Sequence, residues 1–130
     1  MTIKTWKEEF YPKAPTKGMS KKAAIEHSLK KWRGLTRRNL KKHWIYPEFS
    51  FSWDCLKDDD EFQFHINSST CALCKKYIGE FGEECTECPL FQLLGNRCDG
   101  GMAPYNTWIN KGDPKPMIKA LEETLKGLEK

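Results

Sequence analysis

The segment that decides the fold of this chain spans residues 71–98 and reads CALCKKYIGEFGEECTECPLFQLLGNRC. Its cysteines follow the spacing Cys71-x2-Cys74-x10-Cys85-x2-Cys88-x9-Cys98. A C-x-x-C pair lets one tight turn present two sulfurs to the same ion. Two such pairs complete a tetrahedron around zinc, with the sulfurs about 2.3 Å from the metal. The spacing therefore predicts one structural Zn²⁺ ion that stabilises the middle of the chain.

The pattern identifies a metal more firmly than it identifies the four ligands. The default ligands are the members of the two pairs, Cys71, Cys74, Cys85 and Cys88. Cys98 replaces Cys85 if the second pair lies partly on a helix. Zinc has no redox chemistry, so a closed site of four thiolates stabilises the fold and performs no catalysis.

Different kinds of cysteine chemistry compete with structural zinc for these residues. His65 and Cys55 are outside candidates for the metal, although Cys55 is better explained as a small inward residue of a strand. Disulfides require an oxidising compartment. An iron–sulfur cluster would suit the Cys88-Pro89 dipeptide, but the ferredoxin spacing is absent. A catalytic zinc site would need an H-E-x-x-H or H-x-E motif, and neither is present.

The runs CALCKKY, CTECPL, GNRC and PYNTW, which lie between Cys71 and Trp108, resemble a group of small bacteriophage proteins. Those proteins follow a CALC…CxxCP…C…PYxxW plan, often after a short helix similar to AAIEHSLKKW at 23–32. The resemblance covers about a third of the chain. It implies a phage accessory protein that acts in the cytosol of an infected bacterium, and it carries no established activity.

Length and composition predict a single small domain with a thin core. The 130 residues are 38 % apolar and 31 % charged, and a domain of this size gains from a staple such as a metal. No apolar run approaches the roughly 20 residues that span a bilayer, and the N-terminus lacks the apolar region of a secretory signal. We therefore expect a protein of the reducing cytosol with no membrane partner.

Positive charge is concentrated near the N-terminus. Residues 1–46 carry 13 Lys/Arg against three Glu, a balance of +10, whereas residues 47–101 carry four against 11 Asp/Glu, a balance of −7. This asymmetry indicates an anionic partner, either nucleic acid or a nucleotide, although attraction between the two segments also explains it. The predicted contact residues are the cations of two helices: Lys30, Lys31, Arg33, Arg37, Arg38, Lys41 and Lys42.

The basic segment 1–46 is predicted to be helical after an extended arm at 1–19, which contains prolines and aromatic anchors. Ser20 is predicted to be the N-cap of a helix over about 21–33, which Gly34 ends. Thr36 caps a second short helix, with Leu40 and Trp44 pointing inward. The tryptophans of this segment, Trp6, Trp32 and Trp44, either fill the core or offer stacking surfaces to unpaired bases.

Residues 47–66 change to an alternating pattern, which predicts a two-stranded hairpin. The first strand places Phe49, Phe51, Trp53 and Cys55 on one face. The second strand does the same with three apolar residues, Phe62, Phe64 and Ile66. The acidic run Asp58–Glu61 between the strands is predicted to be a solvated loop.

The cysteine unit is assigned to 67–108 and the last helix to 113–130. A short helix is expected to start at Thr70, and a turn or one helical turn over 104–108. Asp113 is predicted to be the N-cap of the last helix, with Pro114 at its first position. The apolar stripe of this helix either packs on the core or forms a dimer seam; its members are Met117, Ile118, Leu121, Leu125 and Leu128.

The sequence thus predicts an α+β fold with basic N-terminal helices, a β-hairpin, a zinc-held unit and a C-terminal amphipathic helix. The function it favours is non-catalytic binding of an anionic partner by the basic helices. The alternative is an inhibitor that docks on a host enzyme or an antiphage defence protein. A metal-dependent enzyme comes third, because no general acid/base pair stands out.

Overall fold

The computed structural model describes residues 2–16, 18–49, 52–60, 62–66, 70–73, 89–94 and 104–128. Six helices and three strands lie in these ranges. The helices are α1 (Ile3–Phe10), α2 (Lys21–Arg33), α3 (Arg37–Lys42), α4 (Pro89–Leu94), α5 (Pro104–Lys111) and α6 (Lys115–Leu128). The strands are β1 (Tyr46–Phe49), β2 (Ser52–Lys57) and β3 (Gln63–His65). Helices packed on a small antiparallel sheet confirm the predicted α+β class.

The N-terminal arm is a helix, so the prediction of an extended segment over 1–19 is wrong for its first part. Thr2 and Thr5 form a reciprocal capping box, in which each side-chain oxygen accepts a hydrogen bond from the other residue's backbone N–H. The helix ends before Pro12, as expected for a residue that precedes proline. Trp6 is buried, and its indole N–H donates to the Gly34 carbonyl at 2.8 Å.

The two basic helices begin where the sequence predicts. The Ser20 hydroxyl accepts from the Ala23 N–H, and the Thr36 hydroxyl accepts from the Asn39 N–H. Each cap satisfies a backbone donor that the first helical turn leaves without a partner. Leu40 is buried as predicted, but Trp44 is 65 % exposed, so its predicted inward position is wrong.

The sheet has three strands in the order β1-β2-β3, and each neighbouring pair is antiparallel. The predicted single strand through Phe49 and Cys55 is divided, because Phe49 in β1 pairs with Ser52 in β2. The intervening Ser50-Phe51 contains no Gly, Pro, Asn or Asp, and Ser50, which also favours turns, fits the polar face of a continuous strand equally well. Pro47 is tolerated in β1 because this strand lies at the edge of the sheet.

The acidic connection between β2 and β3 is only partly solvated. Asp59 and Asp60 are exposed, whereas Asp58 is buried. The Asp58 carboxylate accepts from the Ile3 N–H at 2.7 Å, the Asp60 N–H at 2.9 Å and the Phe62 N–H at 3.1 Å. Phe62 belongs to this loop and is 59 % exposed, which corrects its predicted place on the inward face of the second strand.

The C-terminal part contributes two helices to the core. Residues 104–111 form the full helix α5, longer than the predicted turn. The Asp113 carboxylate accepts from the Lys115 N–H at 3.0 Å, and α6 begins at Lys115, just after Pro114. The stripe of α6 packs on the protein's own core, with Met117 and Leu121 buried and Leu128 partly exposed.

The core unites side chains from α1, α2, α3, α5, α6 and the sheet. Aromatic residues form much of it: the Trp6 and Phe64 rings lie 5.0 Å apart, and Trp32 and Trp53 each lie 5.6 Å from Trp108. In the part of the chain that the structure describes, no helix is long and apolar enough to cross a bilayer.

Candidate functional site

The predicted basic residues fall into three structural groups. Lys30, Arg33, Arg38, Lys41 and Lys42 are exposed along α2 and α3. Lys31 is buried, and Arg37 is exposed but engaged by other parts of the fold. Only the first group is therefore directly available to a partner.

Lys31 does not belong to the exposed surface, contrary to its predicted role. Its side chain is 0 % exposed and lies with its Nζ 5.5 Å from the Trp32 ring. The Nζ donates to the Thr70 carbonyl at 3.2 Å. Since Thr70 immediately precedes Cys71, this contact ties α2 to the start of the cysteine segment.

Arg37 acts within the fold. Its guanidinium lies 4.0 Å from the centre of the Trp53 ring, and it donates to the Lys111 carbonyl at 3.0 Å and to the Gly112 carbonyl at 3.5 Å. These carbonyls belong to the C-terminal end of α5, where the helix leaves acceptors without partners. Gly112 has a φ of 64°, and a Cβ there would overlap the Trp53 ring and lie 2.8 Å from Arg37 Nη2.

Two of the exposed cations have acidic partners. Arg33 Nη2 lies 3.5 Å from Glu122 Oε2, and Lys42 Nζ lies 3.2 Å from Glu9 Oε1. Both pairs are solvent-accessible, so each contributes little to stability and leaves its cation reachable.

The remaining exposed cations, Lys30, Arg38 and Lys41, make no ion pair with any acidic side chain in the described ranges. Arg38 and Lys41 lie one turn apart on α3, with Lys42 next to them. We name Arg38, Lys41, Lys42 and the neighbouring Trp44 the α3 surface.

Trp44 ends α3 in an unusual backbone conformation. Its φ is 59°, the left-handed region that glycine normally occupies. The Trp44 N–H donates to the Lys41 carbonyl at 3.2 Å, and the Ile45 N–H donates to the Leu40 carbonyl at 2.9 Å. These bonds define a Schellman motif, whose left-handed position is occupied by tryptophan at a cost of about 1 kcal/mol.

A buried histidine at the C-terminal end of α3 connects this helix to α1. His43 is 2 % exposed; its Nε2 donates to Glu9 Oε2 at 2.9 Å, and its Nδ1 lies 2.9 Å from the Thr5 hydroxyl. The hydrogen bond from His43 and the contacts of Lys42 lower the pKa of Glu9 from its ordinary value, against a smaller opposing effect of burial. The C-terminal end of α3 is thereby fixed to α1.

Most of the predicted metal ligands lie outside the described residues. These are Cys74, Cys85, Cys88 and Cys98, and with them most of the helix expected to start at Thr70. Cys71 is half-buried and packs against the core, and the two residues after it, Ala72 and Leu73, are fully buried. Among the described residues no three His, Cys, Asp or Glu side chains gather at one point.

The two outside candidates for the metal lie in the sheet. Cys55 is buried in β2, and its thiol donates to Glu48 Oε2 at 2.9 Å. Burial, the bond to Glu48 and the charge of Asp54 raise the pKa of Cys55 to about 12. Its inward position agrees with the packing role predicted for it, while His65 is exposed on β3.

Sequence reasoning located the cations of the α3 surface but missed the exposure of Trp44. The available signal was the missing glycine at the end of α3: His43-Trp44-Ile45 follows a helix without a residue that favours the left-handed region. The internal role of Arg37 had no local signal, because Trp53 and Lys111 are distant in sequence.

Comparison of the chain with protein-family models, with curated proteins and with solved structures finds no match in any of the three.

Proposed function

We propose that the protein binds nucleic acid through the α3 surface and the exposed cations at the end of α2, Lys30 and Arg33. The observation that carries the proposal is the row of exposed cations on α2 and α3, followed in the chain by the exposed Trp44. Three of these cations, Lys30, Arg38 and Lys41, have no ion-pair partner in the described ranges. Lys and Arg side chains that contact phosphates release condensed counterions, which gives affinity that tolerates sequence and depends on salt. Such contacts are sufficient for a non-catalytic binding module.

A structural zinc ion is part of the same proposal. Its ligands are Cys71, Cys74, Cys85 and Cys88, with Cys98 as the substitute for Cys85. The fully buried Ala72 and Leu73 support this assignment, because they connect the cysteine unit to the core directly after the first ligand. The contact of Lys31 with Thr70 adds a second connection, from α2.

The cysteine plan that resembles small phage proteins supports a role as a phage accessory protein in the host cytosol. A basic binding surface suits that role, since an infected cell offers phage and host nucleic acid as abundant polyanions.

The test is a salt titration of oligonucleotide binding, followed by fluorescence anisotropy. The logarithm of the affinity should fall linearly with the logarithm of the salt concentration. In the double variant Arg38→Gln/Lys41→Gln the slope should decrease by about 2, since each lost phosphate contact removes about one.

The matched control is Lys119→Gln/Lys126→Gln, which removes the same charge from exposed positions of α6. This variant should keep the wild-type slope. The proposal is wrong if the wild-type affinity is independent of salt, or if the control loses as much binding as the α3 variant, because net charge alone would then explain the result.

A further inference from the structure

Trp44 occupies a backbone position that favours glycine. The Schellman motif at the end of α3 requires a positive φ at its left-handed residue, and Trp44 has a φ of 59°. The hydrophobic contact that accompanies such a motif is made by its neighbours Leu40 and Ile45, which are both buried. The indole of Trp44 thus adds strain to this turn and no core packing.

The exposure of Trp44 separates it from the other tryptophans. Trp6, Trp32 and Trp108 are buried, and Trp53 is partly buried beneath the Arg37 guanidinium, whereas Trp44 is 65 % exposed. A large aromatic ring held outward on strained backbone is a feature of binding sites, because the surrounding structure must maintain it.

The charged residues near Trp44 indicate which class of partner the ring binds. Tryptophan also anchors protein interfaces, but there it lies at the centre of an apolar patch from which charged residues are depleted. Here the turn directly follows a helix that carries three exposed cations, Arg38, Lys41 and Lys42. Cations together with an aromatic platform match a phosphate backbone whose bases are accessible for stacking.

Resting on the function proposed above, we infer that the indole of Trp44 stacks on an unpaired base and makes the α3 surface selective for single-stranded nucleic acid. In a duplex the faces of the bases are already stacked on each other, so no base face is free to stack on the indole ring. The cations contact the phosphates of either form, and the ring adds affinity for the single strand alone.

The decisive variant is Trp44→Gly, because glycine satisfies the left-handed φ and leaves the Schellman motif intact. It should retain or raise the melting temperature. Stacking of one base predicts a roughly tenfold to hundredfold loss of affinity for a 20-nucleotide oligothymidine, with no change for a duplex of the same length. Trp44→Phe, which keeps a stacking ring, should retain most of the affinity.

Fluorescence supplies an independent readout. Oligothymidine should quench the tryptophan emission of the wild type, and the quenching should vanish in Trp44→Phe although binding persists. An unchanged single-strand affinity in Trp44→Gly overturns the inference. So does an equal loss for duplex and single strand.

The failures of the two proposals are distinguishable. If Trp44→Gly binds as the wild type does while Arg38→Gln/Lys41→Gln still flattens the salt dependence, the α3 surface binds nucleic acid and Trp44 has no part in it. A wild-type protein that binds neither form of DNA at low salt overturns both proposals together.

Discussion

At the scale of a single residue, the carboxylate of Asp58 joins two segments that lie 55 positions apart in the chain. It accepts from the first backbone N–H of α1 and from two N–H groups of its own loop. A negative charge at a helix N-terminus is also favoured by the helix dipole. This one buried side chain therefore fixes both α1 and the β2–β3 connection.

We expect Asp58→Ala to lower the free energy of unfolding by about 3 kcal/mol, because the buried Ile3 N–H and two partly buried N–H donors lose a charged acceptor. Urea unfolding followed by circular dichroism measures the change. Asp60→Ala is the matched control, since the Asp60 side chain is exposed, and it should stay within about 0.5 kcal/mol of the wild type. Equal effects of the two substitutions would contradict the role assigned to Asp58.

Single residues were predictable from the sequence where their chemistry is local. Ser20 and Thr36 were identified as helix caps because a cap contacts a donor only three positions away. Asp58 could not be distinguished from the other acidic residues of its loop. Its long-range partner is a backbone N–H, and because almost every residue has one, the sequence does not mark which residue donates. Trp44 was misplaced for a related reason: helical spacing counts positions along α3 and takes no account of where α3 ends.

At the scale of secondary-structure elements, Glu9 connects α1 to the C-terminal end of α3 through His43 and Lys42. These two partners lower the folded-state pKa of Glu9 relative to its ordinary value. A carboxyl group with a lowered folded pKa adds stability above its unfolded pKa, and this contribution is lost as the pH falls through the folded pKa. The link between α1 and α3 should therefore weaken in acid.

We expect Glu9→Gln to melt at a lower temperature than the wild type at pH 7, and the difference to shrink as the pH falls below about 4. Melting temperatures measured by calorimetry across this range test the prediction. Glu26→Gln, which removes an exposed carboxylate that lies 3.8 Å from Lys22, should follow the wild-type curve. A constant difference between Glu9→Gln and the wild type at every pH would show that Glu9 acts through packing.

Elements with a complete local signal were predicted with nearly correct bounds. The helix α2 has a capping serine, a helical apolar pattern and a terminal glycine, and all three agree. The helix α1 has a weaker signal, because its cap is the Thr2–Thr5 pair and the prolines that follow it favour extended chain. The division into β1 and β2 could not be predicted because the apolar alternation continues through both strands, and Ser50 between them fits that alternation as a polar strand residue.

At the scale of the whole molecule, the start of the cysteine unit belongs to the described core. The described core already buries Ala72 and Leu73, which directly follow the first proposed zinc ligand. Four converging thiolates would release on the order of 10 kcal/mol when they bind zinc, a large share of the stability of a small domain. The packing of helices on the sheet could be inferred from apolar patterns, whereas four of the five cysteines in the predicted metal unit lie outside the described residues.

Removal of the proposed zinc ion tests how much it contributes to stability, and the reactivity of the cysteine thiols measures the result. We expect purified protein to hold one zinc ion per chain. A strong chelator should then lower the melting temperature and expose the ligand thiols to a disulfide reagent. Cys55 should stay slow to react in folded protein, because its buried thiol has a pKa of about 12 and thiolates are the reactive form.

The variant pair Cys74→Ser and Cys55→Ser separates ligands from packing residues. The Cys74→Ser variant should bind no zinc, because the tetrahedral site needs all four thiolate donors. Cys55→Ser should retain a full zinc ion, because the serine hydroxyl can donate to Glu48 as the thiol does. If elemental analysis finds no zinc and the thiols prove to be paired as disulfides, the cysteines stabilise this chain covalently and the metal has no place in its fold.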